Sequence, residues 1–320
     1  LEELTMAKSA IDIIQEIVQG QVELNVPMSE RTTMRAGGMA DIFIRPETRD
    51  DLAGIRRFFH TREIEMFMIG GGSSMIVRDG GIRGAIVQLS GEFEGLEVLE
   101  EEPTGPRIKV GAGTSTRSLV RHSVDLGFTG LEYLYSIPGT IGGAVMNNSG
   151  SWGHEMSKLV VGLETMDEEG EIHNLAPNRF RFGYRHIVLP EGHVVLSATL
   201  EGKPAEPADV KEKIQKLYDR RRSMHPIHEP CAGMTFFNPE GAIAGEIIDR
   251  CGLKGVRVGD AEISRLHGNF IVNLGLAQAA HIVSLIGMIQ ERVYVREKIK
   301  LEPKVKMVGN WQKQKLRIQE

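Results

Sequence analysis

The chain has 320 residues, with 38 Lys and Arg against 43 Asp and Glu, and a formal net charge of −5. That balance argues against wholesale nucleic-acid binding, which normally shows a basic face or domain, and a hydrophobic fraction of 41% with no long polar tract fits a globular protein of two or three domains. No apolar run approaches the ~18 residues that cross a bilayer and the start carries no basic-then-apolar leader, so the expectation is a cytoplasmic protein without membrane insertion.

Leu1 to Gln19 places Ala10, Ile13, Ile14, Ile17 and Val18 at helical spacing and predicts an amphipathic helix. Short β-rich runs then alternate with turns and helices. A strand is predicted over 41–46, ended by Pro46, a helix over 50–60, and strands over 66–69 and 84–89. Arg107 to Thr114 reads as a strand running into a glycine turn, and Thr116 to Leu126 as a helix stopped at Gly127. The polar, proline-bearing run from Glu201 to Ala208 is the best candidate for a domain junction. Beyond it come a helix reaching about Arg222, a Pro-rich loop from His225 to Pro230, a helix over 244–251 and a last long helix over 277–299. Cys231 and Cys251 fit neither a disulfide framework nor a metal site, and no metal is expected.

Two segments carry chemistry. In Gly70-Gly71-Gly72-Ser73-Ser74 a buried-strand run breaks into three glycines and two serines, a pattern whose unpaired N–H groups and hydroxyls can cradle an anion. The spacing excludes a Gly-Lys-Ser/Thr triphosphate loop, and Met75 stands where a dinucleotide fingerprint needs its third glycine. A second loop, Ile137-Pro138-Gly139-Thr140-Ile141-Gly142-Gly143, follows in the same region. Two such loops would wrap one extended anion from two sides, which suits a dinucleotide such as FAD.

Taken with Thr33-Met34-Arg35-Ala36-Gly37-Gly38, Gly130-Leu131-Glu132, Asn148-Ser149-Gly150, Phe182-Gly183-Tyr184-Arg185, Arg221-Arg222, the run Gly252 to Gly259, Ser264, His267 and Asn269 to Asn273, these loops resemble the UDP-N-acetylenolpyruvoylglucosamine reductase (MurB) family over roughly residues 25 to 309. The resemblance implies an α+β fold: an N-terminal helix over 1–24, an FAD-binding domain of the PCMH type made of two α+β subdomains over 25–202, and a C-terminal α+β substrate-binding domain over 203–320. It implies FAD and NADPH as cofactors, a small-molecule UDP-sugar as substrate and no nucleic acid; the oligomeric state is left open, with a monomer favoured. Arg35, Gly70, Gly71, Gly72, Ser73, Ser74, Ile137, Pro138, Gly139, Thr140, Gly142, Gly143 and Asn148 would hold FAD, and Tyr184, Arg221, Arg222 and Asn238 the substrate. The implied reaction is NADPH-dependent reduction of UDP-N-acetylglucosamine enolpyruvate to UDP-N-acetylmuramate in peptidoglycan synthesis.

The chain departs from the family pattern in its catalytic set. Arg185 occupies the position of the Arg that stabilises the developing anion. Met234 stands where the family has a proton-donating Ser, Lys304 where it has a Glu, and Phe237 replaces a polar or basic residue. A thioether has no proton to give, so Thr235, Cys231 or a water would have to replace it, and Glu302 could serve the carboxylate end if the terminal strand slipped by two residues. The alternative is a catalytically impaired paralogue that binds flavin or nucleotide in a regulatory role. Taken singly, Arg221 and Arg222 are an exposed charge run, His267 a satisfied structural histidine, and Asn148 a turn former.

Overall fold

The computed structural model describes residues 10–99 and 105–311. Of the predicted N-terminal helix, α1 spans Ala10–Ile17, and residues 1–9 lie outside the described part.

The first layer comprises β1 (Gln21–Pro27), β2 (Met39–Arg45), α2 (Arg49–Thr61), β3 (Met66–Ile69), β4 (Met75–Val77) and β5 (Ile82–Gln88). Its sheet runs β1-β2-β5-β3, antiparallel between β1 and β2 and parallel elsewhere. α2 forms because Leu52, Ile55, Phe58 and Phe59 recur on one face and Thr48 with Asp51 closes a capping box at its start. The buried Asp51 carboxylate also accepts from the amides of Gln19 (3.2 Å), Gly20 (3.3 Å) and Glu47 (3.0 Å), tying the chain after α1 to the head of α2.

The second layer holds β6 (Leu96–Val98), β7 (Arg107–Gly111), α3 (Thr116–Asp125), α4 (Ile141–Met146), β8 (Val160–Met166), β9 (Ile172–Leu175), the hairpin β10 (Arg181–Gly183) and β11 (His186–Val188), and β12 (Val194–Glu201). Its five-stranded sheet, β9-β8-β12-β7-β6, is antiparallel throughout. Gly127 ends the α3 region with φ +60°, as the sequence suggests. The second glycine segment does more than turn: from Ile141 it becomes the short helix α4, with the Thr140 hydroxyl accepting from the Gly143 amide. Both layers share one core that includes Ile44, Val87, Val110, Leu119, Leu163 and Leu200.

Helix α5 (Pro207–Met224) packs Ile214 and Leu217 on that first core. The side chains change core between it and β13 (Cys231–Met234), which joins α6 (Ala244–Arg250), β14 (Arg257–Val258), β15 (Ala261–Ile263), β16 (Phe270–Asn273) and α7 (Ala279–Glu297). The antiparallel sheet β13-β16-β15-β14 packs with α6 and α7 through Ile247, Ile263, Ile271, Ile282 and Leu285. The α+β class is the one expected, and the helices over 49–61, 116–125, 207–224, 244–250 and 279–297 fall where the periodicity places them.

Three ties lock this last region to the first layer. β17 (Lys306–Val308) pairs in parallel with β4, from Met75 with Lys306 to Val77 with Val308. The Asp79 carboxylate accepts from the first-turn amides of α7, Ala279 (2.8 Å) and Ala280 (2.9 Å). The Asn273 side-chain amide donates to the carbonyls of Met34 (3.0 Å) and Arg35 (3.1 Å).

Asp51 allows a test of the first tie in the chain. Burial pushes its pKa up, and the amides of Glu47 and Gln19 more than offset this, leaving it below the ordinary value. A carboxyl depressed in the folded state contributes stability above its unfolded pKa that is lost as pH falls through the folded one. Asp51→Asn is therefore expected to cost about 1–2 kcal/mol in urea unfolding near pH ~7, with the difference shrinking as pH falls below the ordinary carboxylate value of ~3.9.

Candidate active site

The two glycine loops meet face to face. A Cβ on Gly70 would fall 2.6 Å from Thr140 Oγ1, and one on Gly71 would fall 2.9 Å from Gly139 Cα, so the first loop tolerates no side chain at the crossing. Ser73 Oγ donates to the Pro138 carbonyl (2.8 Å) and Thr116 Oγ1 to the Ile137 carbonyl (2.6 Å), fixing one loop on the other and both on α3. Gln88 Nε2 holds the Gly70 carbonyl (2.7 Å). The cleft between them is lined by Gly70 to Ser74, Ile137 to Thr140, Gly142 and Gly143, and is closed by Asn147, His193 and Lys306.

Among the described residues, the amides of Gly71, Gly72, Ser73 and Ser74 donate to no protein acceptor. Amides left free along a wall without side chains are what a diphosphate needs, so the cleft fits the FAD expected from the sequence. Arg35 and Asn148 are not in the cleft. Arg35 is exposed at φ +53°, at the seam with Asn273. Asn148 is buried, with Nδ2 donating to Glu155 Oε2 (2.9 Å) and the Gly183 carbonyl (3.0 Å) and Oδ1 accepting from the Ser157 amide (3.0 Å). Its side chain is committed to clamping the turn that carries the β10–β11 hairpin.

That hairpin delivers Arg185 at its tip in a left-handed conformation, φ +63°. Beside it, the half-exposed Tyr184 ring lies 5.9 Å from that of Phe237. Arg221 comes from the last turn of α5, with its Nε buried and unpartnered. Lys304 comes from the segment preceding β17, where its amide donates to the Thr235 carbonyl (2.7 Å) and Pro303 bridges to Phe236. Burial, with Arg185 and Arg221 nearby, lowers the Lys304 pKa to about 8. Burial, and again Arg185, lowers that of Arg221 to about 10 although Cys231 acts the other way.

Met234 ends β13 opposite Phe270, after a bulge in which Gly233 takes φ +72°. A Cβ on Gly233 would sit 3.7 Å from the Ser73 carbonyl, so the strand carrying Met234 passes beside the first glycine loop. Thr235 is buried, its amide bonded to the Asn269 carbonyl (2.8 Å). Burial pushes the Cys231 thiol up, against the Gly233 amide and Arg221. Arg222 is exposed on α5, and Asn238 is exposed with its Oδ1 accepting from the Ala244 amide (3.1 Å) at the head of α6.

Spacing did not reveal His225 or Tyr133. The buried His225 ring lies 5.1 Å from His267 and 5.3 Å from Phe270, and burial followed by Arg221 lowers its pKa to about 3, so it is a neutral wedge. His267 accepts from the Asn269 amide (3.1 Å), the structural role expected of it. The Tyr133 hydroxyl is buried and unpartnered, its pKa raised by burial and by Glu155 against the pull of Arg185.

Residues 225–308 match the family model described as UDP-N-acetylenolpyruvoylglucosamine reductase, C-terminal domain, and residues 40–176 match that of an FAD binding domain. A UDP-N-acetylenolpyruvoylglucosamine reductase of Paramagnetospirillum magneticum is 35% identical over 91% of this chain and 93% of its own. The chain belongs to the UDP-N-acetylenolpyruvoylglucosamine reductase family. The reductase of that name from Moorella thermoacetica is 39% identical over 90% of this chain and 94% of its own. The crystal structure of the MurB reductase from Thermus caldophilus superposes with a TM-score of 0.76 at 33% identity, covering 91% of this chain and 99% of that one. As a member of the MurB family, the chain carries its FAD-binding domain in the half that forms the cleft.

Gly71→Ala is expected to force the loops apart and weaken FAD binding by about tenfold or more, equivalent to ~1.4 kcal/mol, as read from flavin retained on gel filtration. The depressed pKa of Lys304 means that folding penalises its ammonium at neutral pH, a penalty that fades as pH climbs from about 8 towards the unfolded value. Lys304→Met is therefore expected to raise stability by about 1–3 kcal/mol at pH ~7, and the gain to shrink as pH rises from about 8 and to be lost above the ordinary lysine value of ~10.4 in parallel urea titrations.

Proposed function

We propose that this protein is an NADPH-dependent flavin reductase acting on the enolpyruvyl ether of UDP-N-acetylglucosamine, in the cytoplasm and as a monomer. One observation carries the reading: the strand holding Met234 passes beside the first glycine loop at Ser73, and the segment holding Lys304 is hydrogen-bonded to Thr235, the residue after Met234. An acid held by Arg185, Arg221 and Lys304 therefore lies beside the cofactor cleft.

Bound FAD supplies a carrier that accepts hydride from NADPH and delivers it to an acceptor. In the overall reaction NADPH is oxidised, hydride adds to C3 of the enolpyruvyl double bond and a proton adds to C2. The guanidinium of Arg185 suits the planar carboxylate, and the cations around it stabilise the charge that develops there. Met234 has no proton for C2. Thr235 is buried on the strand, whereas Cys231, with its pKa raised, keeps its proton at neutral pH. Tyr184, Arg222 and Asn238 are exposed, as residues that hold a nucleotide sugar from solvent would be.

Anaerobic stopped-flow on the flavin-loaded protein tests the reading: NADPH should bleach the flavin absorbance and the enolpyruvyl UDP-sugar should restore it. Flavin that is reduced and never restored would mean a binding paralogue instead. Met234→Ser, which puts back a hydroxyl, is expected to speed restoration by about 10²-fold or more.

A further inference from the structure

The FAD cleft has two unlike ends. At one, the Lys306 amide donates to the Ser74 carbonyl (3.0 Å) where the first glycine loop runs into β4, and Gly233 of the C-terminal region passes beside Ser73. At the other, β12 runs behind the second loop: the Ala112 amide donates to the Leu196 carbonyl (2.8 Å) and the Gly142 amide to the Ala112 carbonyl (2.8 Å). Here the cleft is lined by the apolar Leu89, Ala112, Val194 and Val195, together with His193.

The His193 ring is held from behind. Its Nδ1 bonds to the hydroxyl of Thr165 (2.9 Å), which is buried on β8, and its face tilts on the His173 ring at 4.9 Å. His173 is paired with Asp167 (2.6 Å). Arg56 of α2 fixes the flanking backbone, donating from Nε to the Asp167 carbonyl (3.0 Å) and from Nη2 to the Gly192 carbonyl. Thr165 has one hydroxyl proton, and its other contact is the His173 carbonyl (3.4 Å), which only accepts. With the proton placed there, Nδ1–H of His193 donates to Thr165 and Nε2 is left as an acceptor. Among the described residues Nε2 has no partner.

Hydride has to reach an acceptor beside Met234, which sets the flavin ring of FAD at the Ser74 end and leaves the adenosine for the apolar end. This orientation rests on the proposed function. A flat base with apolar faces suits the wall of Leu89, Val194 and Val195, and the 6-amino group is the donor on its edge. We infer that His193 selects the adenine of FAD, its Nε2 accepting a hydrogen bond from the 6-amino group.

Burial, and then His173, hold the His193 pKa below the ordinary histidine value; Arg56 and Arg179 act the same way and Asp167 against them. The Glu168 side chain lies against Gly192 next to it. The ring is therefore neutral at pH ~7, and acid turns Nε2 into a donor, which no longer accepts from an amine.

The full chain, stripped of flavin and checked by circular dichroism, is titrated with FAD, with its inosine analogue (6-oxo for 6-amino) and with FMN, and read by flavin fluorescence. At pH ~8 FAD is expected to bind about tenfold or more tighter than the inosine analogue, and the preference to shrink as pH falls below ~6.5. His193→Leu should abolish the preference and leave FMN binding unchanged. His193→Gln, uncharged at every pH, should remove the pH dependence, and it carries the test should His193→Leu fail to fold. Equal binding of FAD and its inosine analogue, or a preference that persists in His193→Leu, would overturn the inference. So would FMN weakened as much as FAD, which would put the flavin ring at this end. The titrations contain neither NADPH nor UDP-sugar, so the two readings fail separately. An adenine preference without restored flavin sinks the reductase reading alone, and restored flavin without an adenine preference sinks the role of His193 alone.

Discussion

The contact on which the rest depends is the close crossing of two loops, Gly70-Gly71 against Gly139 and the Thr140 hydroxyl. Everything around it keeps that approach open and rigid. The carbonyl of Gly70 is held from β5, the carbonyls of Ile137 and Pro138 from α3 and Ser73, and the chain after Thr140 turns straight into α4. A wall of unpaired amides is unfavourable for a folded chain until something anionic binds to it, so these bonds sustain a local conformation that packing alone does not favour.

The C-terminal region meets this wall at one of its ends. β13 reaches Ser73 through a glycine bulge, and β17 extends the strand that leaves the first loop. The segments that carry Met234 and Lys304 therefore lie beside the cleft although they pack on a different hydrophobic core from α3 and α4. A hairpin tip, the last turn of α5 and the segment before β17 each contribute one cation. Met234 ends β13 and Lys304 precedes β17, and both are held in the sheet and bridge contacts of the C-terminal region.

Local periodicity and punctuation were enough to place the long helices and the glycine loops. α2, α3, α5 and α7 each show apolar residues at helical spacing or a capping residue, and Gly127 marks the end of α3 where it stands. What the chain did not disclose are relations between distant segments. Nothing near Met75 signals its parallel partner Lys306, because parallel pairing carries no turn between its strands. Asn148, assigned to the cofactor on motif grounds, is instead occupied by Glu155, Gly183 and Ser157, an accounting that only coordinates provide. His225 is a wedge because of its neighbours His267 and Phe270, contributed by other elements.

The pairing of β17 with β4 also governs the order of assembly. Arg78, just past β4, donates to the carbonyl of Gly309, 231 residues further on. The strand that leaves the first glycine loop thus lacks its parallel neighbour until the ribosome has made nearly all of the described chain. Contacts of such sequence separation form late and slowly. The nascent chain can build the first core early, but the floor of the cleft is finished only by the last segment, which makes cofactor loading a closing event of biogenesis.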